Sequence, residues 1–377
     1  MARLACLLAW VGFLSAQSFA WKFASSKELG ELTNEKKTAV VAFVSPADDK
    51  FKALELEWNV AATASHLPFF SVDCSADGEV CETYGSPASY GIKLLKDGNI
   101  MATYQGPSRA SAITAWAARV LRPSVSDVQL SSMELFRSID EVVIVANIRP
   151  DDEVSRPILE AVALKYKNEF TFGIHIVKYE SKEELNNPTV DCFRVIDGDR
   201  KVLNDPFDQV SLESFVIEAS RPIIGELLPY NHQRFIEREW PMVYVFAATE
   251  AERANLRESL KKLARSHYES LTMVTVDPLE FPDLPAKLGL EPEIFPAGAV
   301  HQLSTNRIFP YPKGTPITPS SMQKWGLDVW QGRIKPWSPP GTTTALVSEA
   351  PGQIKASRKV SIRSYPGIKI NIGRDEL

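Results

Sequence analysis

Cysteine is the residue type best suited to chemistry in this 377-residue chain, and its spacing limits what it can do. Cys6 lies in an apolar leader. Cys74 and Cys81 are separated by six residues, and Cys192 stands by itself. There is no Cys-x-x-Cys pair and no cluster with metal-ligand spacing, so neither a reactive dithiol nor a zinc centre is encoded in its usual form. The five histidines (His66, His175, His232, His267 and His301) are scattered and read as surface or satisfied core residues. The sequence has no G-x-S-x-G, no H-E-x-x-H and no phosphate-cradling G-x-x-x-x-G-K-[ST]. No cofactor and no metal is expected. The remaining polar pair, Asp48-Asp49, comes after an apolar run and the turn Ser45-Pro46. Aspartate at a helix start caps the first turn, worth about 0.5–2 kcal/mol; a cation or partner site is the alternative.

Composition bounds the function classes. The chain is 44% apolar and 24% charged, as in soluble globular proteins, and long enough for two to four domains. Its net charge is −5 with no basic block, which argues against nucleic acid as a partner. Arg3, the apolar run Leu4–Leu14 and the small residues of Ser18-Phe19-Ala20 form a secretory signal, so the mature chain starts near Trp21. No later apolar run approaches the ~18 residues of a membrane span. The chain finishes Arg374-Asp375-Glu376-Leu377, a variant of the KDEL-type retrieval signal, which is an address read by a receptor. The two ends together place the protein in the endoplasmic reticulum lumen, with the retrieval receptor as one partner. That compartment permits a Cys74–Cys81 disulfide and leaves Cys192 odd.

The elements that must position these residues repeat weakly at about one hundred residues, far above solenoid periods. Arg122-Pro123, Arg221-Pro222 and Lys335-Pro336 each end a unit. In the first unit, Val40–Val44 reads as a strand and Lys50–His66 as a helix. Phe69–Asp73, Ile92–Leu95 and Ile100–Tyr104 read as further strands, and Ser108–Val120 as a closing helix. In the third, Met242–Ala248 and Thr272–Val276 are strands flanking a helix over Thr249–Tyr268. Thr249 and Glu252 there have capping-box spacing, and Leu256, Leu260, Leu263 and Ala264 share one face. Strand and helix alternate with hairpins, which predicts an α/β fold with mixed central sheets flanked by helices. The division reads as a signal over 1–20, units over 21–122, 123–221 and 222–335, a Pro/Ser/Thr/Gly-rich linker and tail over 336–373, and the signal 374–377.

The stretches "VDCSADGEVCETYG", "AITAW", "RPIIGEL" and "VYVFAATEAER" resemble the fungal type of protein disulfide isomerase, over roughly Trp21 to Pro336. The resemblance implies tandem thioredoxin-like domains: the first three of the family's four (catalytic, inert, inert, catalytic), and then a short tail. "SYPGIKI", Ser364 to Ile370, is similar to a strand of the fourth. By the same alignment the two reactive cysteines fall on Asp48 and Phe51, the residues between them on Asp49 and Lys50, and the preceding tryptophan on Ala47. The buried proton-moving glutamate falls on Ala42, and the cis-proline that faces the cysteines on Tyr90. The redox-centre positions of the first domain are thus all replaced.

Cys74 and Cys81 match a family cysteine pair outside the active site, either a buried staple or an exchangeable disulfide. Cys192 reads as an inert core thiol, with mixed-disulfide or dimer formation as the alternative. The third unit corresponds to the family's peptide-binding domain, with Pro296 of "IFPAGAV" in the cis-proline position. Phe246, Met273, Leu288, Leu290, Ile294 and Phe295 are its expected client-binding surface, or else plain core. These residues together imply a redox-inactive luminal relative that binds unfolded or partly folded secretory chains, or a dedicated client. The alternatives are weak isomerase activity through Cys74, Cys81 or Cys192, and a non-catalytic subunit that retains another luminal enzyme.

Overall fold

Thr38–Val44 (β1) carries seven residues, TAVVAFV, of which six are buried. A strand buried on both faces belongs at the centre of a covered sheet. The computed structural model places it there, and describes residues 21–339 except 26, 29, 31–36, 85–90 and 178–186. The first twenty residues, Tyr90 with the nearby Pro87, the tail, and Arg374, Asp375, Glu376 and Leu377 lie outside the described residues.

After β1 come α1 (Asp49–Ala64), β2 (Phe69–Asp73), α2 (Gly78–Thr83), β3 (Gly91–Lys96), β4 (Asn99–Thr103) and α3 (Ala110–Leu121). The sheet order is β2-β1-β3-β4. β1 pairs in parallel with β2, Ala42 opposite Ser71, and antiparallel with β3, Ala42 opposite Ile92. Phe23 adds a parallel bridge to Ser71 on the outer edge of β2.

The second module holds β5 (Ser126–Asp127), α4 (Met133–Arg137), β6 (Val142–Ile148), α5 (Ser155–Tyr166), β7 (Thr171–Ile176), β8 (Thr189–Arg194), β9 (Asp199–Leu203) and α6 (Gln209–Ala219). The third holds β10 (Gly225–Leu227), α7 (His232–Ile236), β11 (Met242–Phe246), α8 (Glu250–Ser266), β12 (Thr272–Val276), α9 (Leu284–Lys287), β13 (Ala297–Gln302), β14 (Arg307–Pro310) and α10 (Pro319–Trp330). Their sheets run β5-β7-β6-β8-β9 and β10-β12-β11-β13-β14. In each, the first three strands are parallel and the last two antiparallel. With the Phe23 bridge counted as a first strand, the first module has the same order. The weak sequence repeat is therefore a repeat of topology.

Each sheet is covered on both faces. In the first module one core holds Phe51, Leu54, Trp58, Ile113 and Trp116, and the other Phe43, Val72, Cys74 and Cys81. The other modules likewise have two clusters each. The expected helix face of α8 is present: Leu260 and Ala264 are buried, with Leu256 and Leu263 packed beside them. Thr249 and Glu252 form the reciprocal capping box, each backbone N–H donating to the other side chain at 3.2 Å. Element ends fall within about two residues of those expected, where fraying and capping make boundaries soft. The modules pack into one compact unit that ends at Trp337. Among the described residues, no helix is long and apolar enough to cross a membrane.

Candidate functional site at the module junction

The turn after β1 is the place where a reactive dithiol would sit. Asp48 there has extended backbone angles (φ −77°, ψ 130°) and is the N-cap of α1. Its Oδ1 accepts the N–H of Lys50 at 2.9 Å. Asp49, in the first turn, pairs with Lys52 at 2.9 Å, and Lys52 holds its carboxyl below the usual range. Phe51 is 5% exposed and packs in the core. Ala42 is fully buried in the same cluster. The positive end of the helix dipole, which elsewhere stabilises a thiolate, here faces a capping carboxylate. Lys50 reaches out of the module and pairs with Glu280 of the third at 2.9 Å.

Cys74 and Cys81 are bonded to each other, with Cα atoms 5.7 Å apart. Both are buried, one just after β2 and the other in α2. Cys192 is fully buried in β8, between Ile144 and Lys201, and burial pushes its thiol up to about 12. A thiol that stays neutral and shielded from solvent is neither a nucleophile nor a crosslinker.

The expected client-binding surface of the third module needs correcting. Phe246, Met273, Leu288 and Leu290 are all buried. They do not share a face: Met273 packs under α8, whereas Phe246, Leu288 and Leu290 lie in the opposite cluster. The cause is strand alternation, which sends neighbouring apolar residues of one sheet to both sides. Phe295 is half-buried and stacks on Phe246 at 6.2 Å, so only Ile294, 44% exposed, stands clear. The Phe295–Pro296 bond is cis. Trp337, at the start of the expected linker, returns to this module. Its N–H donates to the Ile308 carbonyl at 2.7 Å, and its indole covers Gly289. Gly289 has φ +73°, and a Cβ there would lie 2.6 Å from the ring, so glycine is required on both counts.

The densest polar structure lies where the three modules meet. Arg109, just before α3, donates through Nη2 to Glu141 Oε1 of the second module at 2.6 Å. Through Nη1 it donates to Glu226 Oε2 of the third at 2.7 Å. The other Glu226 oxygen accepts from Arg257 at 3.0 Å. Arg257 continues to Glu250, and Glu250 to Arg253, which reaches Asp277 at 2.9 Å. Burial opposes the charge on Arg109, but Glu226 and then Glu141 more than offset it, and the guanidinium is held more firmly protonated than usual. Burial raises the Glu141 carboxyl, with Arg109 pulling the other way. A second seam joins Arg119 to Asp140 at 2.5 Å, and Asp140 also accepts Thr171 Oγ1 at 2.6 Å. Between the second and third modules, Arg221 lies 3.5 Å from the centre of the Tyr268 ring.

Above these ion pairs is a cleft of about 610 Å³ between the first and second modules. Its walls include Leu67, Ala118, Leu121, Ile139, Val195 and Ile196. Leu121, Val195 and Ile196 are 39%, 43% and 54% exposed. A smaller cavity of about 240 Å³ shares Ser111 and Ile196 with it and extends to Arg109, Arg257 and Lys261. Sequence reasoning missed this junction. The partners of Arg109 are 32 and 117 residues away, so no local pattern marks them. Among the described residues there is no group of three or more His, Cys, Asp or Glu able to hold a metal.

A family model described as a thioredoxin-like domain matches residues 148–326. The protein disulfide-isomerase of Aspergillus niger is 26% identical over 307 residues, covering 80% of this chain and 60% of that protein. That of Humicola insolens is 26% identical over 298 residues, covering 78% and 59%. The Arthroderma benhamiae protein is 27% identical over 310 residues, covering 81% and 59%. The chain thus spans about 60% of the length of these relatives. Among solved structures, the bb fragment of ERp72 aligns with a TM-score of 0.45 and 14% identity, over 57% of this chain and all of that fragment. Human ERp44 form II aligns with a TM-score of 0.39 and 16% identity, over 83% and 89%. With its mixed sheets flanked by helices, this chain has the thioredoxin-like fold and is similar over most of its length to protein disulfide isomerases.

Proposed function

We propose that this chain is a redox-inactive relative of these isomerases that holds unfolded or partly folded secretory chains in the endoplasmic reticulum lumen. The observation that carries the reading is the start of α1: Asp48 is spent on capping and Phe51 on the core. The state of the other thiols supports it, with Cys74 bonded to Cys81 and Cys192 buried. The leader and Arg374-Asp375-Glu376-Leu377 support the luminal address. The client site in this reading is the cleft between the first and second modules. Its volume falls in the range of about 300–1,000 Å³ typical of binding pockets. Its exposed aliphatic walls suit an extended apolar segment, and its acidic floor is neutralised by Arg109 and Arg119. Holding exposed apolar segments suppresses aggregation without any thiol chemistry.

Two assays test the reading. In a glutathione buffer, the protein leaves the refolding rate of a scrambled-disulfide substrate at the buffer value; acceleration overturns redox inactivity. It also slows aggregation of a reduced, denatured substrate, and Ile196→Asp abolishes that protection while the protein stays folded. Full protection by Ile196→Asp removes the cleft as the client site.

A further inference from the structure

We propose that Arg109 is the keystone of the module arrangement. It is a single guanidinium from the first module that fixes the second through Glu141 and the third through Glu226, and so sets the width of the cleft. The link to client binding rests on the proposed function; the link to module orientation does not.

The local structure dedicates this side chain to the junction. Arg109 occupies the N-cap position of α3 but makes no side-chain cap bond. Glu57 of α1 takes over instead, accepting the N–H of Ala110 at 2.8 Å. The loop that carries Arg109 is held from below. Tyr104 Oη donates to the Pro107 carbonyl at 2.7 Å, and its ring packs at a tilt against Trp116 with centroids 5.1 Å apart. Gly106 lies so close to the same ring that a Cβ would sit 2.6 Å from Tyr104 Oη. A guanidinium is a planar fork with donors in fixed directions, so two carboxylates bound to its two Nη atoms are held in fixed relation to each other. Both Nη atoms are engaged, one with each neighbouring module.

The two arms are unequal. Glu226 is also held by Arg257, which belongs to an ion-pair chain within the third module. Glu141 has Arg109 as its only ion-pair partner among the described residues. Loss of Arg109 therefore strands Glu141 and frees the second module first. Arg119–Asp140 and Lys50–Glu280 remain as tethers, so the modules loosen without separating.

The test is pulsed dipolar distance measurement on the full chain, with spin labels at the exposed positions Lys52, Glu160 and Asn255, one in each module. Arg109→Met roughly doubles the width of the first–second and first–third distance distributions, because relative motion is the default for domains not held by a large interface. Glu141→Gln broadens the first–second distribution only. Should Arg109→Met fail to fold, Glu141→Gln and Glu226→Gln carry the test. Distributions as narrow as the parent's in the folded variants overturn the keystone. Binding of a reduced, carboxymethylated secretory protein is measured on the same variants. Broadened distances with altered affinity support both readings. Broadened distances with unchanged affinity leave the keystone standing and overturn the cleft as the client site.

Discussion

The first and third modules begin the same helix in the same way and differ in how they connect to their neighbours. After central strand β11, Thr249 caps α8 through a reciprocal box with Glu252. After central strand β1, Asp48 caps α1 through Lys50 N–H. The second module also places an oxygen here, since Asp152 Oδ1 accepts the N–H of Ser155 at 2.8 Å. A position that the family resemblance assigns to a redox centre in the first module is a side-chain N-cap in the first and third, whereas in the second the N-cap is Val154 and the oxygen comes from two residues earlier. With the thiols absent, the helix start settles on the solution that any exposed helix start favours. The first module stands apart in its outward links, Lys50 to Glu280 and Arg109 to both neighbours.

The sharpest way to break this comparison is to test how far the first module has committed to it. Phe51→Cys with Asp48→Cys restores the cysteine spacing but removes a ring that is 5% exposed. Truncation of a buried aromatic costs about 3–5 kcal/mol, so thermal unfolding shifts down steeply. A double variant as stable as the parent shows that Phe51 is not core-committed. Next in size is the Cys74–Cys81 staple. A loop this short contributes about 2.5 kcal/mol in the chain-entropy model. Cys74→Ser with Cys81→Ser lowers the denaturant midpoint accordingly and leaves the refolding assay at the buffer rate.

Cys192 sharpens the contrast through pH. The unfolded chain gives up this proton near the ordinary thiol value, whereas the native protein holds it to about 12. The unfolded state therefore binds fewer protons in alkaline solution, and stability falls as pH rises from the ordinary thiol range toward 12. Cys192→Ala flattens that decline. Alkylation at pH 8 leaves Cys192 unmodified until the protein is denatured; rapid native labelling would contradict its burial. The caps come next: Asp48→Ala and Thr249→Ala each cost about 1 kcal/mol, and a neutral Asp48→Ala breaks the comparison at its root. The smallest effect is the coupling of Lys50 with Glu280. Lys50 is 47% exposed, and a double-mutant cycle returns less than about 1 kcal/mol, falling further with salt.

Legibility in the sequence tracked the range of the interactions. β1 announced itself through an unbroken apolar run, and α8 through a cap and a period, because both signals act within a few residues. The place of Pro296 was readable from the resemblance of "IFPAGAV" and is cis in the structure. Phe246, Met273, Leu288 and Leu290 stayed open between surface and core because apolarity does not tell which layer covers a residue; here both faces of the sheet are covered and they are core. Arg109, Glu141 and Glu226 carried no signal at all. Each is an ordinary charged residue near the end of an element, and only tertiary packing brings them together.

The bond from Ala110 to Glu57 also bears on how the first module is made. It spans 53 residues, and it satisfies the first turn of α3 with a side chain from α1. During vectorial synthesis α1 emerges well before α3. The closing helix cannot complete its own start until the earlier one is in place, and the loop between them must first be closed at an entropic cost. The start of the last helix is thus completed by the first, through a contact that forms only once the loop between them has closed.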